Sequence, residues 1–155
     1  MKIFLKVYLI LICSFGCLAL NGQNISGEWN GVMTQNAGGI AGQYYFSLHL
    51  KQEGTKITGF SKVELYEGDK RTMYARKSLI GEFDGKELVF KETQILEQKM
   101  TISTNLCLIQ AKLIFGFDKG ALCLTGTWGG KTKNNGTCSP GKIKVCSTIP
   151  IAALE

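Results

Sequence analysis

The chain has 155 residues, of which 45% are hydrophobic and 19% charged, with 19 glycines against 2 prolines and a net charge of +6. This composition excludes a disordered, collagen-like or coiled-coil chain and leaves one compact, glycine-punctuated domain with a single sizeable core. A lone histidine excludes a histidine metal cluster, and no glycine-rich nucleotide-binding motif occurs.

The first element in chain order is an export signal. Lys2 and Lys6 precede an uncharged stretch of fourteen residues from Val7 to Leu20, followed by Asn21, Gly22 and Gln23. That is the order of basic region, apolar region and cleavage zone in a secretory signal. The stretch is shorter than the roughly 20 residues a helix needs to cross a bilayer, so no transmembrane span is expected after cleavage. The cut falls after Asn21 or after Gly22, and the latter exposes Gln23. Ser14-Phe15-Gly16-Cys17 offers lipidation at Cys17 as a minor alternative. The reading is a helical signal peptide over 1–22 and an exported domain over 23–155, periplasmic or extracellular. Losing Lys2 and Lys6 takes the 18 basic residues to 16 against 12 acidic ones, and the net charge from +6 to +4. Those charges are spread along the chain and form no run, so no nucleic-acid partner is expected.

After the signal come eight β-rich runs, at 25–35, 43–52, 56–66, 71–83, 86–97, 104–117, 121–129 and 141–147. The tight links Glu53-Gly54-Thr55, Glu67-Gly68-Asp69-Lys70, Asp84-Gly85 and Asp118-Lys119-Gly120 each supply a residue suited to a hairpin turn. In the second run Tyr44, Phe46, Leu48 and Leu50 fall on one face and Tyr45, Ser47, His49 and Lys51 on the other, the period of a half-buried strand. The segment 92–99 has a helix-forming composition but is read as strand. Consecutive hairpins make an up-and-down meander, and eight strands leave two exposed edges unless the sheet closes. The expected fold is all-β, an eight-stranded antiparallel barrel, with a two-sheet sandwich as the second choice.

The first run carries Ile25-Ser26-Gly27-Glu28-Trp29-Asn30-Gly31. This Gly-x-Trp on strand one of an eight-stranded meander resembles the opening of lipocalins and their calycin relatives. Leu124-Thr125-Gly126-Thr127-Trp128-Gly129 echoes it, and avidin-type barrels also open with Thr-Gly-x-Trp. The chain as a whole resembles small secreted bacterial lipocalin-like domains of unassigned function. The resemblance implies that Gly27, Trp29 and Trp128 are structural residues of a closed barrel base. It also implies a basic residue of the last strand packed on Trp29, for which Lys142 and Lys144 stand in place of arginine. The glycines around Trp128, Gly126, Gly129 and Gly130, mark a bend or bulge where the seventh strand reaches the rim.

Cleavage leaves Cys107, Cys123, Cys138 and Cys146, an even number in an exported chain and therefore a disulfide framework. If Trp128 faces Gly141 in the last hairpin, Cys123 falls opposite Cys146, which leaves Cys107 for Cys138. The alternative pairs Cys138 with Cys146 and Cys107 with Cys123. No Cys-x-x-Cys spacing supports zinc or a redox dithiol, so no metal or cofactor is expected.

Binding outweighs catalysis in this sequence. His49 reads as an exterior histidine, and Glu28 and Glu64 point outward, so no catalytic residue is assigned. Glu92 shares the inward face of Leu88 and Phe90 and needs a partner, either Lys77 or a tyrosine such as Tyr44. The expected ligand site is the upper interior, lined by Tyr44, Phe46, Val63, Leu79, Phe90 and Glu92, holding a small hydrophobic or amphipathic molecule in a monomeric protein. The competing expectation is a filled barrel whose loops, 36–42 and 132–141 with Asn134 and Asn135, bind a macromolecular partner.

Overall fold

Alternation of apolar and polar residues over most of residues 25–147 dictates strands with one wet and one dry face, and the computed structural model shows how they close. It describes residues 23–101 and 105–147; the expected signal peptide and Cys17 lie outside them. The strands are β1 (Gly27–Thr34), β2 (Gln43–Glu53), β3 (Lys56–Glu67), β4 (Lys70–Phe83), β5 (Glu87–Met100), β6 (Cys107–Asp118), β7 (Ala121–Thr132) and β8 (Thr137–Ser147). Each is antiparallel to the next, and β8 pairs back onto β1 to close the barrel. The sandwich alternative is thereby set aside. Gly54 and Gly85 make their turns with φ of 64° and 97°, in the region that glycine enters without a steric penalty.

The base of the barrel is sealed by aromatic packing. Trp29 is 3% exposed and donates its indole N–H to the Ile25 carbonyl at 3.0 Å. The Phe115 ring stands edge-on to both Trp29 and Phe83, with centroids 6.1 and 5.9 Å away. Gly27 opens β1 beside this plug, at φ 131°. No lysine of the last strand takes part: Lys144 turns outward to pair with Asp118, and Lys142 is exposed. Above the plug, Phe46, Leu48, Leu79, Phe90, Leu113, Leu124 and Val145 fill the middle, each at most 2% exposed.

The last hairpin is longer than expected. β7 continues to Thr132 and β8 begins at Thr137, so Cys138 sits on a strand and the expected loop over 132–141 shrinks to a turn. The β7–β8 register shifts between Trp128 and Gly130, where Gly129 stands against both Ser139 and Pro140, so the irregularity lies beside Trp128 as expected but the extra residue is on β8. Pro140 falls at that irregularity and beyond the stretch of β8 that pairs with β1, so its missing N–H removes no ladder bond. Trp128 does face Gly141, and Cys123 faces Cys146. The disulfides are Cys123–Cys146 and Cys107–Cys138, with Cα separations of 4.0 and 6.4 Å.

The closure has one seam. β5 pairs with β6 only from Glu87 opposite Ile114 to Lys91 opposite Gln110, yet β5 runs on to Met100 against β4 alone. Register shifts between Arg76 and Lys77 and between Ser78 and Leu79 bend β5 away where it parts from β6.

Candidate ligand cavity

β1 leaves the sealed base at Gly27 and reaches the opposite end of the barrel at Thr34. There Trp128, 4% exposed, donates its indole N–H to the Thr34 carbonyl at 2.8 Å. Trp128 therefore belongs to the mouth, and its expected place at the base is corrected: β7 runs away from the base, and Trp128 lies six residues beyond Leu122. Its partner position must be glycine. A Cβ at Gly141 would lie 1.8 Å from the Thr34 oxygen and 2.9 Å from the Trp128 indole nitrogen, so any side chain there would evict the indole from its bond.

Beside Trp128 is a cavity of about 270 Å³. Met33, Met73, Ile109, Tyr44 and Val63 contribute apolar surface, and Gln35, Lys77, Asn105, Thr132, Thr137 and Ser139 contribute polar groups. Of the residues expected to line a ligand site, Tyr44 and Val63 do so. Phe46, Leu79 and Phe90 instead pack the barrel beneath the cavity, because their bulk fills the section between the Trp29 plug and the mouth. Glu92 lies behind Lys77 and does not reach the wall. Met33, Met73 and Ile109 were not singled out from sequence, although each keeps the inward parity of its strand.

The glycine-rich loop after β1 covers the mouth. Gln35 N–H donates to the Gly42 carbonyl at 3.0 Å, and its side chain donates to the Ser139 carbonyl at 3.1 Å. The Tyr44 hydroxyl donates to Gln35 Oε1 at 2.8 Å and accepts the Ala41 N–H at 3.0 Å. Ser139 Oγ donates to the Ala37 carbonyl at 2.9 Å. Gly38, Gly39 and Ile40, held by these bonds, line the cavity from above.

Lys77 and Glu92 form the expected buried pair. Their side chains are 3% and 0% exposed, with Nζ 2.7 Å from Glu92 Oε2. Ser61 donates to Oε1, and the Ile109 N–H donates to Oε2 at 2.9 Å. Lys77 also donates to the Cys107 carbonyl at 2.9 Å. Ile109 and Cys107 lie on the part of β6 that β5 no longer pairs. The pair thus supplies side-chain partners for strand-edge groups that lose their ladder at the seam, where an unsatisfied buried group would be costly. A lysine ammonium has three donors, and two of them are engaged here.

On the exterior, His49 stacks on Phe60 with centroids 4.3 Å apart. Burial, then the Lys62 charge, lower its pKa below the ordinary 6.5, opposed by Glu28. Glu28 is exposed and Glu64 pairs outside the barrel with Arg71 at 2.7 Å. No protein-family model, curated protein or solved structure matches the chain.

Proposed function

We propose that this chain is an exported, lipocalin-like barrel that carries a small amphipathic molecule in the cavity beside Trp128. The observation that carries the reading is the cavity itself: one end of the barrel is filled by Trp29 and its neighbours, while the other keeps about 270 Å³ open between walls that mix apolar side chains with polar groups. That volume equals about nine waters at roughly 30 Å³ each and sits just under the roughly 300–1,000 Å³ of common ligand sites. It suits a compact molecule better than a long acyl chain. Charge balance narrows the class further. Glu92 already neutralises Lys77, so a ligand carboxylate would bring an uncompensated anion into a buried site. A neutral ligand with one hydrogen-bond acceptor toward Lys77 fits instead.

Two disulfides agree with an oxidising compartment, which supports export. A carrier role also accounts for the carboxylates, since Glu28 and Glu64 face outward and Glu92 is committed to Lys77, Ser61 and Ile109. The tied loop over 36–42 acts as a cover for the cavity in this reading. The test is native mass spectrometry of residues 23–155, folded with both disulfides, after exposure to a lipid and metabolite extract. A reproducible added mass that Val63→Phe abolishes supports the reading. A ligand-free spectrum over a range of extracts refutes it.

A further inference from the structure

A second surface, outside the barrel, has the makings of a site. An open groove of about 750 Å³ crosses the outer face of β1, β2 and β3. Its upper wall is formed by Tyr45 and Tyr66, 61% and 40% exposed, which meet edge to face at 5.5 Å and 89°. Each ring braces the other upright, so aromatic surface is held open to solvent on a barrel whose core needs neither ring. Along its floor Asn30 faces Ser47 and Ser47 faces Lys62, a row of amide, hydroxyl and ammonium. The turn residue Asp69 lines the groove as well.

The lower end is cationic: among the described residues neither Lys62, which lines the groove, nor Arg76 beside it forms an ion pair, although Arg76 faces Glu97 across the β4–β5 ladder. Lys62 stands directly opposite Arg76 on β4, and like charges opposed across a ladder repel. Both lie over the Phe60 ring, at 5.6 and 5.4 Å. Glu64 also lines the groove, between Lys62 and Tyr66, where its charge is matched by Arg71, and Glu28 lies near His49. Arg76 Nε is buried and has no hydrogen-bond partner. From Lys62 to Tyr66 along β3 is roughly 13 Å at about 3.3 Å per residue, long enough for a short oligomer.

We propose that this groove binds an acidic oligosaccharide. The C–H faces of a sugar ring lie on Tyr45 and Tyr66, hydroxyls are met by Asn30, Ser47 and Asp69, and a carboxylate sits between Lys62 and Arg76, relieving their repulsion. Asp69 at the far end disfavours a ligand charged at every unit. Acidic polypeptides would satisfy the cations but present no flat, hydroxyl-rich face to the tyrosines.

The test is calorimetric titration of folded 23–155 with a hyaluronan hexasaccharide, which alternates charged and neutral rings, against a neutral chitin oligosaccharide and polyglutamate. The expected result is saturable binding of hyaluronan alone, weakened at least tenfold by Tyr45→Ala and by Lys62→Gln, retained by Lys62→Arg and untouched by Val63→Phe. Tyr45 and Lys62 are surface positions, and unchanged melting curves verify that the variants fold. No binding, equal binding of polyglutamate, or indifference to Tyr45→Ala would overturn the proposal.

Discussion

Replacing Lys77 by methionine removes the ammonium while keeping most of the stem's volume. Glu92 would then hold its charge with only the Ser61 hydroxyl and the Ile109 N–H, its side chain 0% exposed. Breaking a buried pair in this way costs about 3–5 kcal/mol, a large share of the roughly 5–15 kcal/mol that holds a domain folded. The variant Glu92→Leu strands the other charge at similar cost and also orphans Ile109 N–H, beside the seam. Combining the two substitutions removes both charges, and the remaining loss is that of the abandoned hydrogen bonds, about 1–3 kcal/mol for each buried group left unpaired. The pair should therefore be strongly non-additive, with a coupling of about 2–3 kcal/mol. Urea unfolding at pH 7, with both disulfides intact and slopes compared, measures all four corners of the cycle. Single losses below about 1 kcal/mol, or additive ones, would show that solvent reaches the pair through the seam and would refute the reasoning.

Three further outcomes follow from single features. Gly141→Ala should expel the Trp128 indole from its bond to Thr34 and cost about 1–3 kcal/mol by overpacking, seen as a red-shifted tryptophan emission with a lower urea midpoint; an unshifted spectrum would contradict the close approach. Opening Cys107–Cys138, which spans 31 residues, should cost about 3.7 kcal/mol, and opening Cys123–Cys146, which spans 23, about 3.4 kcal/mol on the loop-entropy relation; serine pairs that unfold at the wild-type midpoint would contradict this. Because His49 has a folded pKa below 6.5, the unfolded chain takes up a proton that the folded chain resists. Its contribution to stability is whole above about pH 6.5 and is lost as pH falls from there through the lower folded pKa. An imidazole proton resonance titrating at or above 6.5 in the folded protein would refute the shift.

The barrel was legible because period two and hairpin residues act locally. Tyr44, Phe46, Leu48 and Leu50 declare one inward face, and Gly54 and Gly85 declare the turns. Counting outward from Trp128 opposite Gly141 was enough to bring Cys123 onto Cys146, since an antiparallel register is arithmetic once one pair is known. Depth along the barrel was not legible. Parity places Phe46, Leu79, Phe90, Tyr44 and Val63 all inward alike, and only the summed volumes at each level of eight strands decide where space remains. Trp128 was misplaced for the same reason: a Gly-x-Trp echo does not say which end of the barrel it occupies. The partner of Glu92 was within reach because Lys77 keeps the parity of Met73 and Leu79. Its bonds to β6 were not, because they arise where the β5 ladder stops, and no pattern in the run over 86–97 marks that point. The polar neighbours of Cys138 and Pro140 read as a loop; the strand survives there because Pro140 falls in the β8 bulge opposite Gly129, where it has no ladder bond to make.

The open end is the centre of this account, and the two tryptophans, one at each end of the barrel, allow it to be tested directly. Trp29→Phe leaves Trp128 as the only indole, and Trp128→Phe leaves Trp29. Titration of both proteins with hexanol, small enough for the cavity beside Trp128, should produce a saturable change in Trp128 emission and none in that of Trp29. A non-saturable response, or equal changes at both ends, would contradict a ligand cavity at the mouth.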